Sequence, residues 1–169
     1  MKAYFAGGCF WCLEAIFQRA KGVSRVTSGY SGGETDNPSY HQIDGHAETV
    51  EIEFDSKEIS FEQLLDIFFA IHNPTTLNQQ GADIGRQYRS AIFYLPKQKT
   101  EVEKALKRAQ GLWDDEIVTQ IEPFDKFYPA EDYHQNYFTN NPEQMYCQVV
   151  INPKIEKFEK KFKKLLREV

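Results

Sequence analysis

The sequence predicts an α/β fold: a two-layer α/β sandwich in which helices pack on a ferredoxin-like mixed sheet and long loops project from it. Short apolar runs of strand length alternate along the chain with segments whose apolar residues recur at helical spacing. The 169 residues are enough to bury a core without disulfides or metals. No internal repeat or low-complexity linker divides them, so we expect a single domain over residues 1–169.

The first predicted strand, at residues 2–6, leads directly into the first predicted helix. Its residues suit a buried strand, and the two glycines that follow end it. The helix begins at Phe10, and its apolar residues keep helical spacing: Leu13, Ile16, Phe17 and Ala20. Gly22 stands where a C-cap glycine is expected. Cys9 therefore lies at a strand-to-helix turn.

Cys9 has the local features of a nucleophile. Free backbone N–H groups and the positive end of the helix dipole favour an anion at the start of a helix, and they lower the pKa of a cysteine placed there. The glycines at positions 7 and 8 allow a tight turn that leaves the sulfur uncovered. We therefore expect a reactive thiolate at Cys9; the alternative is a small apolar core residue.

The remaining segments continue the alternation of strands and helices. The further predicted strands and extended segments are residues 23–28, 46–54, 88–95, 117–121 and 146–151. The further predicted helices are residues 61–71, 98–110, 130–138 and 153–166. Ser60 and Gln63 form a capping box at the start of the second helix. Two long polar loops, 34–45 and 75–87, are of a length that is commonly functional in a compact domain.

Glu48 is an unusual residue in the predicted strand 46–54. Strict alternation places Glu48 on the same face as three apolar residues, Val50, Ile52 and Phe54. A carboxylate on an inward face is costly unless it is paired, protonated or used in chemistry. We therefore expect Glu48 to have a special role.

Composition and charge argue against several classes of protein. A net charge of −5 and an isoelectric point near 5.4 disfavour general nucleic-acid binding. No apolar run reaches about 18 residues, and the N-terminal segment lacks the apolar core of a signal peptide. The three cysteines suit a reducing compartment, which predicts a cytoplasmic location. The lysine-rich terminal helix is interpreted as a docked helix with a solvated face, not as a membrane-binding one.

Cys9 and Cys12 form a Cys-X-X-Cys pair at a helix start, which leaves other functions open. The same arrangement is typical of thioredoxin-like disulfide oxidoreductases. A zinc site is less favoured because no second Cys-X-X-Cys or paired histidine spacing is present. Its ligands would be Cys9, Cys12, His134 and Cys147. A third alternative is a non-enzymatic binder whose aromatic pocket accepts methionine-like side chains.

Six motifs stand in the same order as in a known family. They are Gly7-Gly8-Cys9-Phe10-Trp11, Gly29-Tyr30-Ser31-Gly32-Gly33, Asn37-Pro38-Ser39-Tyr40, Gly45-His46-Ala47-Glu48, Gln80-Gly81-Ala82-Asp83-Ile84-Gly85-Arg86-Gln87-Tyr88-Arg89-Ser90 and Ala130-Glu131-Asp132-Tyr133-His134-Gln135. With these motifs the sequence resembles the peptide methionine sulfoxide reductase A family over nearly its whole length. The resemblance implies an enzyme that uses thiols to reduce methionine S-sulfoxide, in proteins, in peptides and as the free amino acid, without a cofactor.

The resemblance also implies a role for each matching residue. Cys9 would attack the sulfoxide sulfur, while Phe10 and Trp11 hold its methyl group. Glu48 would protonate the sulfoxide oxygen, which makes the sulfur a better electrophile. To hold a proton near neutral pH, Glu48 needs a pKa raised by apolar surroundings. The residues that would assist the acid or line the same pocket are Tyr40, Tyr88 and Asp83.

After oxygen transfer, Cys9 becomes a sulfenic acid, which a second thiol can capture as a disulfide. Cys147 is the expected resolving cysteine, because family members often carry a recycling cysteine in that C-terminal stretch. Cys12, where the family more commonly has glycine, is the competitor or a relay, since three residues along a helix is within disulfide reach. Thioredoxin would then reduce the disulfide. We expect a monomer with no metal, nucleic acid or membrane as partner.

Overall fold

The structure is a computed structural model that describes residues 1–168, and within that range it contains a six-stranded mixed sheet with helices. Its strands and α-helices are β1 (Lys2–Gly7), α1 (Phe10–Phe17), β2 (Val23–Ser31), β3 (Ala47–Phe54), α2 (Phe61–Ile71), β4 (Gln79–Gln80), β5 (Asp83–Ile84), β6 (Ser90–Tyr94), α3 (Lys99–Gln110), β7 (Gln120–Pro123), β8 (Phe127–Pro129), α4 (Tyr137–Asn140) and α5 (Asn152–Lys161). The other helical turns are 3₁₀ helices at Arg86–Tyr88, Asp132–His134 and Lys163–Leu165 and a π-helix at Cys147–Ile151. β4 and β5 form a separate two-stranded hairpin.

The strand order in the main sheet is β7-β6-β1-β3-β2-β8. Its four central strands pair antiparallel in the order β6-β1-β3-β2, and α1 and α2 connect them as a β-α-β-β-α-β unit. This is the ferredoxin-like arrangement. β7 extends the sheet parallel to β6, and β8 extends it antiparallel to β2. The predicted α/β sandwich with a ferredoxin-like mixed sheet is therefore confirmed.

Aromatic side chains of β1, α1 and α2 form the centre of the larger core. The ring centroid of Phe5 lies 5.0 Å from that of Phe68 and 5.8 Å from that of Phe17, and all three side chains are fully buried. The other face of the sheet carries a smaller cluster, in which Tyr4 stacks on Phe124 with ring centroids 4.0 Å apart. Because side chains alternate along a strand, β1 contributes to both clusters.

Two local signals in the sequence lead to the observed structure. The Ser60 hydroxyl accepts a hydrogen bond from the Gln63 amide at 3.0 Å, and the Gln63 side chain accepts one from the Ser60 amide at 2.9 Å. The predicted capping box therefore starts α2. On β3, Glu48 is buried together with Val50 and Ile52, as the alternation predicts.

The prediction of an extended segment at residues 146–151 is wrong. Residues Cys147–Ile151 form a π-helix that continues directly into α5. The valines and isoleucine of this stretch favour a strand locally. However, the buried residues of the π-helix and α5 follow helical spacing toward α1: Cys147, Ile151, Ile155 and Phe158. Burial of this helical face outweighs the local β propensity.

The predicted boundaries of α1 and of the helix at 130–138 also differ from the structure. α1 ends at Phe17, so Gly22 is not its C-cap; Gly22 instead has a φ of +78° in the turn before β2. The predicted helix at 130–138 is divided into a 3₁₀ helix and the short α4. Asn136 interrupts it, because its left-handed φ of 55° cannot continue a right-handed helix.

Three strands have limits that differ from the predicted ones. The strand predicted at 23–28 continues to Ser31, because its last residues pair with the start of β3. The strand predicted at 88–95 is shortened by the 3₁₀ helix that precedes β6. The strand predicted at 117–121 begins three residues later, as β7, because Gln120 is the first residue that pairs with β6.

α5 is a docked amphipathic helix, as predicted, but it ends at Lys161 instead of residue 166, and a 3₁₀ helix follows at Lys163–Leu165. Ile155 and Phe158 are buried, and the lysines at positions 157, 160 and 161 are exposed. Across residues 1–168, no helix has both the length and the apolar character needed to cross a bilayer.

We expect Phe158→Ala to lower the free energy of unfolding by about 3–5 kcal/mol, because truncating a fully buried phenylalanine leaves a cavity under α5. Urea denaturation under reducing conditions measures this change. Lys157→Ala on the exposed face of the same helix is the control, with an expected change below about 0.5 kcal/mol. Equal effects of the two substitutions would contradict the docked position of α5.

Candidate active site

A cavity of about 150 Å³ lies at the N-terminal end of α1. The residues that line it are Cys9, Phe10, Trp11, Tyr40, Glu48, Asp83, Tyr88 and Tyr146. All but the last were placed in one site by sequence analysis, although they come from segments far apart in the chain. The structure therefore brings these residues together, whereas Cys12 and Cys147 do not line the cavity.

Gly8 makes the turn between β1 and α1 possible. Its φ is +93°, and a side chain at this position would meet Cγ of Gln80 at 2.7 Å, so only glycine fits without strain. Cys9, the next residue, is the N-cap of α1, and its carbonyl accepts a hydrogen bond from the Cys12 amide at 3.1 Å. Cys9 is 7% exposed and lines the cavity.

The pKa of Cys9 shifts in the direction opposite to the one that its helix position predicts. Burial raises the pKa of the Cys9 thiol well above its usual range. The hydrogen bond with Cys12 and the charge of Glu48 raise it further, whereas the backbone N–H of Trp11 lowers it. Desolvation therefore outweighs the helix N-terminus, and the resting Cys9 is a protonated thiol at neutral pH.

Glu48 lies at the start of β3 with 1% of its surface exposed. Burial raises the pKa of Glu48 to about 8, against the opposing effect of the Phe10 amide, which donates to Oε1 at 3.1 Å. The rise and its cause agree with the sequence prediction. Since the pKa lies above neutral, Glu48 holds a proton at pH 7 and can donate it.

Tyr40 and Tyr88 bring two hydroxyl groups together near Glu48. Tyr40 belongs to the long loop after β2, and Tyr88 ends the 3₁₀ helix that precedes β6. Their hydroxyls are hydrogen-bonded to each other, and the Tyr40 amide donates to Oε2 of Glu131 at 3.1 Å. Burial raises the pKa of both tyrosines, so both remain O–H donors at neutral pH.

The buried guanidinium of Arg89 connects the two long polar loops by donating hydrogen bonds to both. Its Nη1 donates to the carbonyls of Gly45 and Arg86, each at 3.0 Å, and its Nη2 donates to the carbonyl of Gly32 at 3.3 Å. Burial lowers the pKa of Arg89. Several carbonyl partners satisfy the buried charge, and the loop that carries Tyr40 is held in a fixed relation to the 3₁₀ helix that carries Tyr88.

Phe10 and Trp11 form one side of the cavity, which we call the aromatic wall. The Trp11 Nε1 donates to Nδ1 of His134 at 3.1 Å, and the indole stacks on Tyr137 with ring centroids 3.7 Å apart and an angle of 6°. The ring centroid of Phe10 lies 5.0 Å from that of His134. Burial lowers the pKa of His134, which keeps Nδ1 free to accept from Trp11.

Tyr146 is a site residue that sequence analysis missed. Its hydroxyl donates to Oδ2 of Asp83 at 2.6 Å and lies 3.9 Å from Sγ of Cys12. Burial raises the pKa of Tyr146, so it remains a donor. The available signal was its place directly before Cys147, in a segment already assigned to the recycling chemistry.

The three cysteines are free, and all are buried. The hydrogen bond from Cys9 lowers the pKa of Cys12; burial opposes this effect, and the charge of Lys154 adds to it. Cys147 is fully buried, and burial raises its pKa. The charge of Cys12 raises the pKa of Cys147 further, which places the two within electrostatic reach of each other. Cys12 is thus hydrogen-bonded to Cys9, and its charge acts on Cys147.

The family model described as peptide methionine sulfoxide reductase matches residues 1–166. This chain belongs to that family. A peptide methionine sulfoxide reductase MsrA from Vesicomyosocius okutanii is 59% identical over 161 residues, which cover 92% of this chain and 96% of the relative. The resemblance inferred from the motifs is therefore confirmed, and the chain is an oxidoreductase of this family.

Solved structures agree with this assignment. Mxr1 from Saccharomyces cerevisiae in reduced form is similar with a TM-score of 0.80 and 36% identity, over 87% of this chain and 88% of Mxr1. Mxr1 in complex with Trx2 is similar with a TM-score of 0.58 and 29% identity, over 81% of this chain and 84% of Mxr1. The fold that carries the cavity is thus shared with members of the family.

We expect Glu48→Gln to slow single-turnover reduction of methionine sulfoxide by about 10²–10⁴-fold, because the amide cannot supply a proton. As an acid, Glu48 would act only while protonated, so we expect its contribution in the unchanged protein to fall as the pH rises through about 8. Stopped-flow rates between pH 6 and about 9.5 test whether the variant lacks this alkaline decline. Glu53→Gln, on the opposite face of β3, is the matched control. If the rate of Glu48→Gln falls at alkaline pH by the same factor as the rate of the unchanged protein, Glu48 is not the acid.

Proposed function

We propose that this protein reduces methionine S-sulfoxide to methionine in the cavity at the start of α1, with Cys9 as the nucleophile and Glu48 as the acid. The observation that carries this proposal is that one cavity holds a cysteine thiol, a buried carboxyl group with a pKa of about 8 and the aromatic wall. The substrate methyl group lies against Phe10 and Trp11. The same site accepts the sulfoxide in proteins, in peptides or as the free amino acid.

In the proposed reaction, the sulfur of Cys9 attacks the sulfoxide sulfur while Glu48 gives its proton to the sulfoxide oxygen. The sulfur–oxygen bond of the substrate breaks, and the oxygen is transferred to Cys9 as a sulfenic acid. The methionine sulfur gains two electrons and Cys9 loses two. Tyr40 and Tyr88 donate hydrogen bonds to the oxygen as negative charge develops on it.

The proton balance of this scheme accounts for the raised pKa values of both groups. Cys9 and Glu48 each hold a proton in the resting site. Glu48 gives its proton to the oxygen, and the proton released by Cys9 restores the Glu48 carboxyl group. Because the exchange moves no net charge into the buried cavity, it avoids the cost of creating an isolated thiolate there.

Recycling proceeds by thiol–disulfide exchange among the three cysteines. The Cys12 thiol attacks the sulfenic acid of Cys9, which forms a disulfide and releases water. Cys147 then attacks the Cys12 sulfur, which frees the Cys9 thiol and leaves a disulfide between Cys12 and Cys147. The hydrogen bond between Cys9 and Cys12, the charge effect of Cys12 on Cys147, and the 3.9 Å distance from Sγ of Cys12 to the hydroxyl of the preceding Tyr146 support this order.

The dithiol of thioredoxin reduces the final disulfide in this scheme. The complex of Mxr1 with Trx2 supports a reductant of this class for a related protein. Three free cysteines also suit a reducing compartment, and we propose the cytoplasm as the location. The rival function, a general disulfide oxidoreductase, needs an accessible first cysteine, whereas Cys9 is 7% exposed and Cys12 is 1% exposed.

We expect the protein to reduce only the S epimer of N-blocked methionine sulfoxide with dithiothreitol as reductant, and Cys9→Ser to lose this activity. Cys9 is the only cysteine that lines the cavity, so no other thiol can replace it. Chromatographic separation of the two epimers gives the measurement. Failure of the folded, unchanged protein to reduce either epimer would refute the proposed function and favour disulfide exchange by the Cys9–Cys12 pair.

We expect Cys147→Ser to keep single-turnover reduction but to lose more than about tenfold in thioredoxin-supported turnover. The reason is that the disulfide between Cys9 and Cys12 can no longer be exchanged for one between Cys12 and Cys147. Mass spectrometry of the oxidised variant should then find Cys9 linked to Cys12. Cys12→Ser is the companion variant. Normal thioredoxin turnover in Cys147→Ser, with loss only in Cys12→Ser, would assign resolution to Cys12 alone.

A further inference from the structure

Glu14 is a buried carboxyl group that the proposed reaction does not use. It lies on α1 and is 1% exposed. Neutral donors satisfy it: Ser28 Oγ donates to Oε2 at 3.2 Å, and the Tyr137 amide donates to Oε1 at 3.3 Å. The Asn136 amide is also hydrogen-bonded to this carboxyl group. Burial nevertheless raises the pKa of Glu14 to about 7, so its position is costly for a carboxylate.

The two backbone amides that donate hydrogen bonds to Glu14 belong to the start of α4. This helix is too short to be stable by itself. α4 has four residues, and Asn136 before it has a left-handed φ of 55°. The first N–H groups of a helix have no partner within the helix, and Glu14 supplies one. Gln18, the C-cap of α1, donates from Nε2 to Oδ1 of Asn136 at 2.7 Å. α1 therefore holds the start of α4 in place.

The residue that Glu14 holds is the one that stacks on the aromatic wall. Tyr137 covers the indole of Trp11 at a centroid distance of 3.7 Å. Trp11 and Glu14 are three residues apart on α1, so they lie on the same side of the helix. A closed path of contacts thus runs from Trp11 to Tyr137 through the rings and from Tyr137 to Glu14 through the amide. Together with the hydrogen bond from Trp11 Nε1 to His134, this path fixes the plane of the indole.

We propose that Glu14 is a positioning residue of the methyl-binding pocket: by holding the backbone of Tyr137, it sets the plane of Trp11 and thereby the affinity and size selectivity for the S-alkyl group. This inference rests on the methyl-binding role of Trp11 in the proposed function. Glu14 itself does not line the cavity. It acts on binding through Tyr137 and leaves the attack by Cys9 and the proton transfer by Glu48 unchanged.

The role requires hydrogen-bond acceptors and not a negative charge. In Glu14→Gln, the amide oxygen can accept from the backbone N–H groups of α4, and the amide NH₂ can donate to the Ser28 hydroxyl, which is able to reverse its role. In Glu14→Met, a side chain of similar length offers no strong acceptor, and the N–H groups are left buried without a partner. The two variants therefore separate positioning from charge.

The test measures kcat and KM for N-blocked methionine S-sulfoxide and for its S-ethyl homologue. We expect Glu14→Met to raise KM for the methyl substrate about 5- to 30-fold with kcat nearly unchanged. The contact that is lost binds the ground state and the transition state equally. The preference for methyl over ethyl should fall, since a mobile indole no longer limits the size of the group. Glu14→Gln should restore both values. Glu103→Met, on an exposed face of α3, is the control for the substitution itself.

A second measurement reports on the indole without any turnover. Trp11 and Trp113 are the two tryptophans of the chain, so Trp11 is the sole tryptophan in a Trp113→Phe background. Glu14→Met should shift its emission to longer wavelength and increase its quenching by acrylamide, whereas Glu14→Gln should leave both unchanged. If Glu14→Met does not fold, Glu14→Asp replaces it. The side chain of aspartate is one methylene shorter, so its carboxylate oxygens lie farther from the amides of α4.

Two results would overturn the proposal. One is a fall in kcat at constant KM with unaltered Trp11 fluorescence. The other is an effect of Glu14→Met on KM that adds in full to that of Tyr137→Ala, since residues acting through one contact must be non-additive. Absence of turnover in the unchanged protein would instead refute the proposed function, and the fluorescence comparison would still decide whether Glu14 positions Trp11.

Discussion

The hydrogen bond from the Phe10 amide to Glu48 joins the turn that carries the nucleophile to the strand that carries the acid. It also explains why the start of α1 does not produce a thiolate. At the start of α1, the Phe10 amide donates a hydrogen bond to Glu48, and the Trp11 amide donates one to Cys9. The attraction of the helix terminus for negative charge is therefore divided between two groups. Burial prevails for both, and the cavity holds two neutral acids side by side.

A helix of eight residues organises most of the site. Its N-cap carries the thiol, its first turn supplies the aromatic wall, and its next residues provide a second thiol and the carboxyl group that holds α4. Such a short helix has little stability by itself, and its geometry depends on the sheet beneath it and on the C-terminal segments around it. The accuracy of the site is thus a property of the whole fold and not of a local motif.

The parts of the fold that could be predicted are those set by neighbours in sequence. The capping box at Ser60, the inward direction of Glu48 and the turn at Cys9 follow from local spacing, and the structure contains all three. The rest depends on contacts between distant segments. The π-helix at Cys147–Ile151 follows from burial against α1 and not from its own valines. Likewise, Cys9 keeps its proton because residues far away in the chain close the cavity over it.

The complete burial of Cys147 links the stability of the C-terminal segment to the supply of electrons. Because Cys147 is fully buried in the π-helix, a partner dithiol would need local opening of this helix and of the start of α5 to reach a disulfide there. Under the proposed recycling scheme, this opening is an equilibrium that precedes reduction, and each additional 1.4 kcal/mol or so of local stability makes the open state about tenfold rarer. Tighter packing of α5 would therefore give a more durable protein that turns over more slowly.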